Sequence, residues 1–240
     1  MTLIKALDRI IEFWQNESDA DWLIRANFEL YIAHTVLNSE GQALTNLIWK
    51  NFEQSPRRMI AWEPIYGLNW CRGLPHKSGL WSNSDLDLSG TWQRCEVGQA
   101  FVLSASGFWA ASTKDSDSKD LQITRNEYKA SAKEAVYAVV GLYDRKTSGF
   151  DPIFVDPIEL GLNMGASYRP SNIVQWWYQS SGSSSSPVLS VHKSPVESRD
   201  MSQLDPLTNR FYCSTSYDYS KGIWLTNLSA PPSQVSEPKL

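Results

Sequence analysis

The stretch ADWLIRANFELYIAHTVLNSEGQALTNLIWKNF, residues 20–52, decides the fold through its period. Trp22, Leu23, Ala26, Leu30, Ala33 and Leu37 recur at three- and four-residue intervals, which builds one apolar face of a helix. Ser18 or Asp19 supplies an N-cap, so a helix is predicted from there to about Leu37. Ser39 followed by Gln42 has the form of a capping box, and Leu44, Leu47, Ile48 and Phe52 carry the helical period to a stop before Pro56. Upstream, Leu3, Leu7, Ile10, Ile11 and Trp14 predict a further amphipathic helix over residues 2–16.

Beyond Pro56 the texture changes. β-branched and aromatic residues cluster, and Gly, Pro, Asn and Ser recur at the intervals of turns between short strands. Strands are predicted at 59–65, 91–96, 100–106, 135–143, 173–179, 188–193, 211–216 and 222–227. The strand at 135–143 is apolar on both sides, with Tyr137 and Val139 on one face and Val136, Val140 and Leu142 on the other, which places it centrally. Long connections are expected at 71–89, 112–119 and 144–171. The expected fold class is α+β: an N-terminal three-helix segment over residues 1–54 packs on a mainly antiparallel β-sandwich or barrel over 57–228, and 229–240 is a loose tail.

Composition narrows the function classes. A chain of 240 residues with 42% hydrophobic residues builds a sizeable core, so disorder is excluded for most of it. The net charge of −4 and pI near 5.4, with no run of Lys or Arg, give no electrostatic footprint for nucleic acid or an anionic membrane. No apolar run reaches the length of a membrane span, and residues 1–11 mix Lys5, Asp8 and Arg9 with their apolar residues, so neither transmembrane helix nor leader is expected. Cys71, Cys95 and Cys213 stand far apart with no CxxC, which fits free thiols in a reducing cytosol and a cytoplasmic protein. No metal or cofactor is expected: GxGxxG and GxxxxGK[ST] are absent, and His34, His76 and His192 have no metal-ligand spacing.

The segment NIVQWWYQ, residues 172–179, carries the main functional signal. Strand alternation puts Val174, Trp176 and Tyr178 on one face and Gln175, Trp177 and Gln179 on the other. Trp176 is then core, whereas Trp177 offers an indole plane between two amides, a combination that suits a sugar ring or another small polar ligand. Burial of Trp177 beneath the N-terminal helices is the competing reading. The hairpin YCSTSYDYSKGIW adds Tyr217, Asp218 and Tyr219 near a turn.

Catalytic constellations are sparse. The segment DPIFVDPIEL brings Asp151, Asp156 and Glu159 into one stretch, enough for a hydrolase with paired carboxylates if the fold gathers them, although Asp-Pro dipeptides also mark turn starts. The loop STKDSDSKD holds Asp115, Asp117 and Asp120 without the glycine and glutamate of a calcium loop, and Cys71 with His76 lacks an orienting partner. The expected function is a non-enzymatic binding protein for a carbohydrate or other small polar ligand, with Trp177, Gln175, Gln179, Tyr217, Asp218 and Tyr219 as its site. The hydrolase is one alternative; a structural protein that self-associates through the helices and exposed aromatics is the other.

Overall fold

Where the first helix was expected, the described residues Arg9–Trp14 form a strand. The computed structural model describes residues 9–75, 80–96, 98–112, 118–129, 135–180, 194–203, 210–218 and 223–228. Within them the protein is mostly β, with 57% in strands and a single α-helix, so there is no N-terminal three-helix segment. A β-sandwich is consistent with the rest. Among the described residues no helix is long and apolar enough to cross a membrane.

In chain order the elements are β1 (Arg9–Trp14), α1 (Glu17–Arg25), β2 (Phe28–Leu37), β3 (Ala43–Leu44), β4 (Leu47–Glu53), β5 (Arg57–Trp62), β6 (Tyr66–Arg72), β7 (Trp81–Ser82) and β8 (Gln93–Cys95). They continue with β9 (Ala100–Leu103), β10 (Trp109–Ala111), β11 (Leu121–Asn126), β12 (Val136–Asp144), β13 (Gly149–Val155), β14 (Ala166–Ser180), β15 (Glu197–Asp200), β16 (Arg210–Asp218) and β17 (Ile223–Asn227).

The misreading of residues 20–52 has a physical cause. Helix α1 keeps the helical period only as far as Arg25, burying Ala20 and Leu23, and Asn27 at φ 57° ends it in the left-handed region. From Phe28 the buried residues Phe28, Leu30 and Ile32 alternate, and residues 32–36 are then buried without a break. A strand covered on both faces shows no alternation, so its apolar residues satisfy a helical template as readily as a strand. The Ser39 capping box is instead a turn, in which Asn38 Oδ1 accepts the backbone N–H groups of Glu40 and Gln42 at 3.1 and 2.9 Å.

The chain divides into two compact units. Unit 1 comprises Met1–Tyr31, Asn51–Trp62 and Trp176–Leu240, and unit 2 comprises Ile32–Lys50 and Glu63–Gln175, so β2, β4 and β14 each contribute residues to both. In unit 1 a four-stranded sheet runs in the order β17-β16-β1-β5, with β1 and β16 parallel. Its inner side chains meet residues of β2 and β14: Phe13 lies edge-on to Trp176 at 5.8 Å, and Trp224 stacks on Tyr178 at 5.7 Å. Val174, Trp176 and Tyr178 are all buried, as strand alternation predicts.

Unit 2 also has two layers. One follows the strand order β10-β9-β11-β14-β2-β4-β7; the other is β13-β12-β6-β8. β12 is central in the second, between β13 and β6, where its two apolar faces are covered. Phe154 and Tyr168 meet at 5.8 Å between the layers, and Asn46 Nδ2 donates to Val155 O at 2.6 Å. The 144–171 connection contains strand β13, and its Asp151-Pro152 lies within that strand. Proline is tolerated because β13 is an edge strand and the pairing shifts register opposite it, between Val140 and Gly141. Residues 188–193 and the tail after Leu228 lie outside the described residues.

Candidate functional site

Strands β14, β2 and β4 are neighbours in the strand order, and in unit 1 they supply residues 176–180, 28–31 and 51–53. Alternation divides these side chains between two faces. Phe28, Trp176 and Tyr178 point to the core of unit 1, where Phe28 and Tyr178 both touch Trp224. The opposite face carries Glu29, Tyr31, Asn51, Trp177 and Gln179.

Those five residues form one connected group. The Tyr31 ring lies flat against the Trp177 indole, centroids 5.7 Å apart and planes at 8°. Trp177 is 1% exposed and donates from Nε1 to Gln179 Oε1 at 3.3 Å. Its stacked partner is Tyr31 of a neighbouring strand, in place of the N-terminal helices of the competing reading. Tyr31 is half-buried, and its hydroxyl donates to Glu29 Oε2 at 2.8 Å; Asn51 Nδ2 donates to the same oxygen at 3.0 Å. Burial, followed by the hydrogen bond to Glu29 and its charge, pushes the Tyr31 phenol up to about 12. Tyr31 thus stays a neutral donor at physiological pH, and Glu29 Oε1 accepts no hydrogen bond from the described residues.

The arrangement sets an aromatic platform beside an oriented carboxylate and two exposed amides, Asn51 and Gln179. Such groups recognise hydroxyls by accepting and donating hydrogen bonds. Sequence reasoning found Trp177 and Gln179 but missed Glu29, Tyr31 and Asn51, which it had placed on helices. The period-two burial of Phe28, Leu30 and Ile32 was the signal that would have turned Glu29 and Tyr31 to a shared face.

The other sequence candidates have separate fates. Gln175 is half-buried and belongs to unit 2. Tyr217 and Asp218 lie in β16, their Cα partners being Trp224 and Ile223 of β17, and Tyr219 lies outside the described residues. His76, His192, Asp115 and Asp117 are also outside them. His34 is buried edge-on to Trp49, with ring centroids 4.7 Å apart. Burial pushes the Cys71 and Cys95 thiols up to about 12, which disfavours a thiolate nucleophile. No group of three or more His, Cys, Asp or Glu among the described residues is placed to hold a metal ion.

Asp151, Asp156 and Glu159 are not gathered into one site. Asp156 is buried against Tyr168, Glu159 is exposed, and Asp151 meets Lys50. Lys50 Nζ lies 2.6 Å from Asp144 Oδ2 and 3.0 Å from Asp151 Oδ2, tying β4 to the β12–β13 hairpin. Burial alone would raise the Asp144 carboxyl, but the bonds from Lys50 and the Lys146 N–H outweigh it and hold it below its usual value. Burial likewise opposes the Lys50 charge, and the two carboxylates overcome it, leaving the ammonium raised.

Replacing Lys50 by methionine leaves two carboxylates facing each other and is expected to cost about 1–2 kcal/mol in this half-buried setting. The stability contributed by the depressed Asp144 carboxyl is present above its unfolded pKa and is lost as pH falls through the folded value. Thermal melts at neutral and acidic pH check this: the gap between Lys50→Met and the parent protein should narrow on acidification.

Fold and site together define a mostly β protein with an aromatic and polar surface group on one of its two units. Comparison with known proteins finds no family model, no curated protein and no solved structure that matches the chain.

Proposed function

We propose that the protein is a non-enzymatic binding protein that takes a carbohydrate or another small polar ligand on the Glu29, Tyr31, Asn51 and Gln179 face of unit 1. The observation that carries this reading is the convergence of Tyr31 and Asn51 on one oxygen of Glu29, which orients the carboxylate and leaves its other oxygen for a ligand hydroxyl. Trp177 serves as the floor on which the Tyr31 ring rests. A carboxylate held in place before the ligand arrives loses little side-chain entropy on binding. The hydrolase alternative loses its motive, since its three carboxylates have separate surroundings.

A panel of immobilised neutral oligosaccharides provides the test. The parent protein is expected to retain a subset of them. Glu29→Gln should weaken retention by about ten- to a hundredfold, the worth of a hydrogen bond to a charged group, with little change in melting temperature because Gln keeps an acceptor for Tyr31 and Asn51. Retention of no oligosaccharide, or undiminished retention by Glu29→Gln, would overturn the reading.

A further inference from the structure

The Glu29 carboxylate carries its charge without a cation beside it. Its partners among the described residues are the Tyr31 hydroxyl and the Asn51 amide, both neutral, at 2.8 and 3.0 Å. Both bonds end on Oε2, so they orient the group and leave its charge uncompensated. Glu29 is half-buried, where water offsets a charge less than at an open surface. Half-buried carboxylates of unit 2 show a different arrangement: Asp144 and Asp151 meet Lys50 at 2.6 and 3.0 Å, and Asp120 meets Arg169 at 2.6 Å.

The strands around Glu29 supply no counter-charge. Unit 1 takes FELY from β2, NFE from β4 and WWYQS from β14, which hold Glu29 and Glu53 and no Lys or Arg. Glu53 is exposed and stands two residues from Asn51, on the same face of β4. The cations closest in the chain or in space are engaged elsewhere. Arg25, in the last turn of α1, donates from Nε to Asp21 O at 3.3 Å. Arg57 is paired with Glu12. Arg58 donates to Glu53 O at 3.1 Å, but its guanidinium lies over the Phe52 ring at 5.0 Å, and Phe52 alternates with Asn51 and Glu53 onto the opposite face. Lys50 belongs to unit 2, where Asp144 and Asp151 hold it.

The other hydrogen-bonding groups of the face are amides. Gln179 accepts the Trp177 N–H on Oε1, which leaves its Nε2 to donate, and Asn51 keeps a second N–H and its Oδ1. Amides of this kind read hydroxyls, whereas an oriented anion with one oxygen to spare reads a charged donor.

We propose that the ligand of this face is an amino sugar, whose ammonium bonds Glu29 Oε1 and whose hydroxyls meet Asn51 and Gln179. The inference rests on the reading of this face as a carbohydrate site and adds the charge of the ligand. A hydrogen bond between ions is about twice as strong as one between neutral groups. The free amine is therefore favoured over the same sugar with that amine acetylated or replaced by a hydroxyl.

Three tetramers of one linkage test this: those of glucose, N-acetylglucosamine and glucosamine, which carry a hydroxyl, an acetamide and an amine at the same carbon. In mildly acidic buffer, where the sugar amine is charged, calorimetric titration of the full chain should show the glucosamine tetramer binding about tenfold more tightly than the other two. Added salt should shrink that preference. Glu29→Gln should bind all three alike at an unchanged melting temperature. Equal binding of the three by the parent protein overturns this inference and leaves the carbohydrate reading standing, whereas binding of none overturns both. A preference for the glucosamine tetramer that survives in Glu29→Gln reflects attraction to a chain of net charge −4 and overturns the inference. A lysine tripeptide bound as tightly as the glucosamine tetramer overturns it as well, because charge alone would then be recognised.

Discussion

Replacing Trp176 by alanine is expected to lower the stability of the protein by about 3–5 kcal/mol, read as a fall in the unfolding midpoint. Trp176 is completely buried in unit 1, edge-on to Phe13 at 5.8 Å and tilted against Phe211 at 6.1 Å. Phe211 is itself covered by the Arg199 guanidinium, 4.5 Å from its ring centroid. Packed aromatic neighbours collapse little into a cavity, which puts the cost at the upper end for a large-to-small change. Phenylalanine at 176 should cost far less, about 1–2 kcal/mol. The Trp176 indole N–H has no acceptor among the described residues, so Trp176→Phe also removes a buried donor left unsatisfied. If alanine and phenylalanine cost the same, the ring does not fill the core.

The same pair of tryptophans shows what the sequence reveals and where it stops. Val174, Trp176 and Tyr178 recur at every second position of one strand, so their shared face follows from a two-residue period that needs no knowledge of partners. Trp177 is different, because its surroundings depend on which strand lies beside β14. That strand is β2, and it supplies Tyr31 from nearly 150 residues upstream. A strand order of this kind is set by long-range pairing and leaves no local trace. Strand β2 was lost for a second reason: burial on both faces over residues 32–36 cut short the alternation that residues 28–32 show, and the apolar residues fitted a helical stripe. Glu29, Tyr31 and Asn51 were lost with them.

Asp156→Ala and Asp156→Asn are expected to have opposite consequences at neutral pH. The buried Asp156 carboxylate accepts the Tyr168 hydroxyl on Oδ2 at 2.8 Å and the Ile158 N–H on Oδ1 at 3.0 Å. Tyr168 is buried as well, and that burial, with the neighbouring Asp156 charge, holds its phenol well above the usual value. Alanine strands both donors and is expected to cost about 2–4 kcal/mol, most of it from the orphaned Tyr168 hydroxyl. Asparagine keeps an acceptor for Ile158 and offers an amide donor to the Tyr168 oxygen.

Burial is also the largest influence on Asp156, and it raises the carboxyl above its ordinary value despite the two hydrogen bonds that favour the charge. A carboxyl raised in the folded state contributes its stability below the unfolded value, about 3.9, and that contribution is lost as pH rises through the folded value. Asparagine cannot ionise and loses nothing over that window. Thermal melts from about pH 4 to neutrality should therefore show Asp156→Asn at or above the parent protein near neutrality, with the difference closing toward the acid end. Asp144 behaves in the opposite sense, being depressed by Lys50 and costing stability on acidification. If Asp156→Asn instead lost stability only near neutrality, the charged form would be the favoured one, and Asp156 would regain the standing of an ionised group with chemistry to perform.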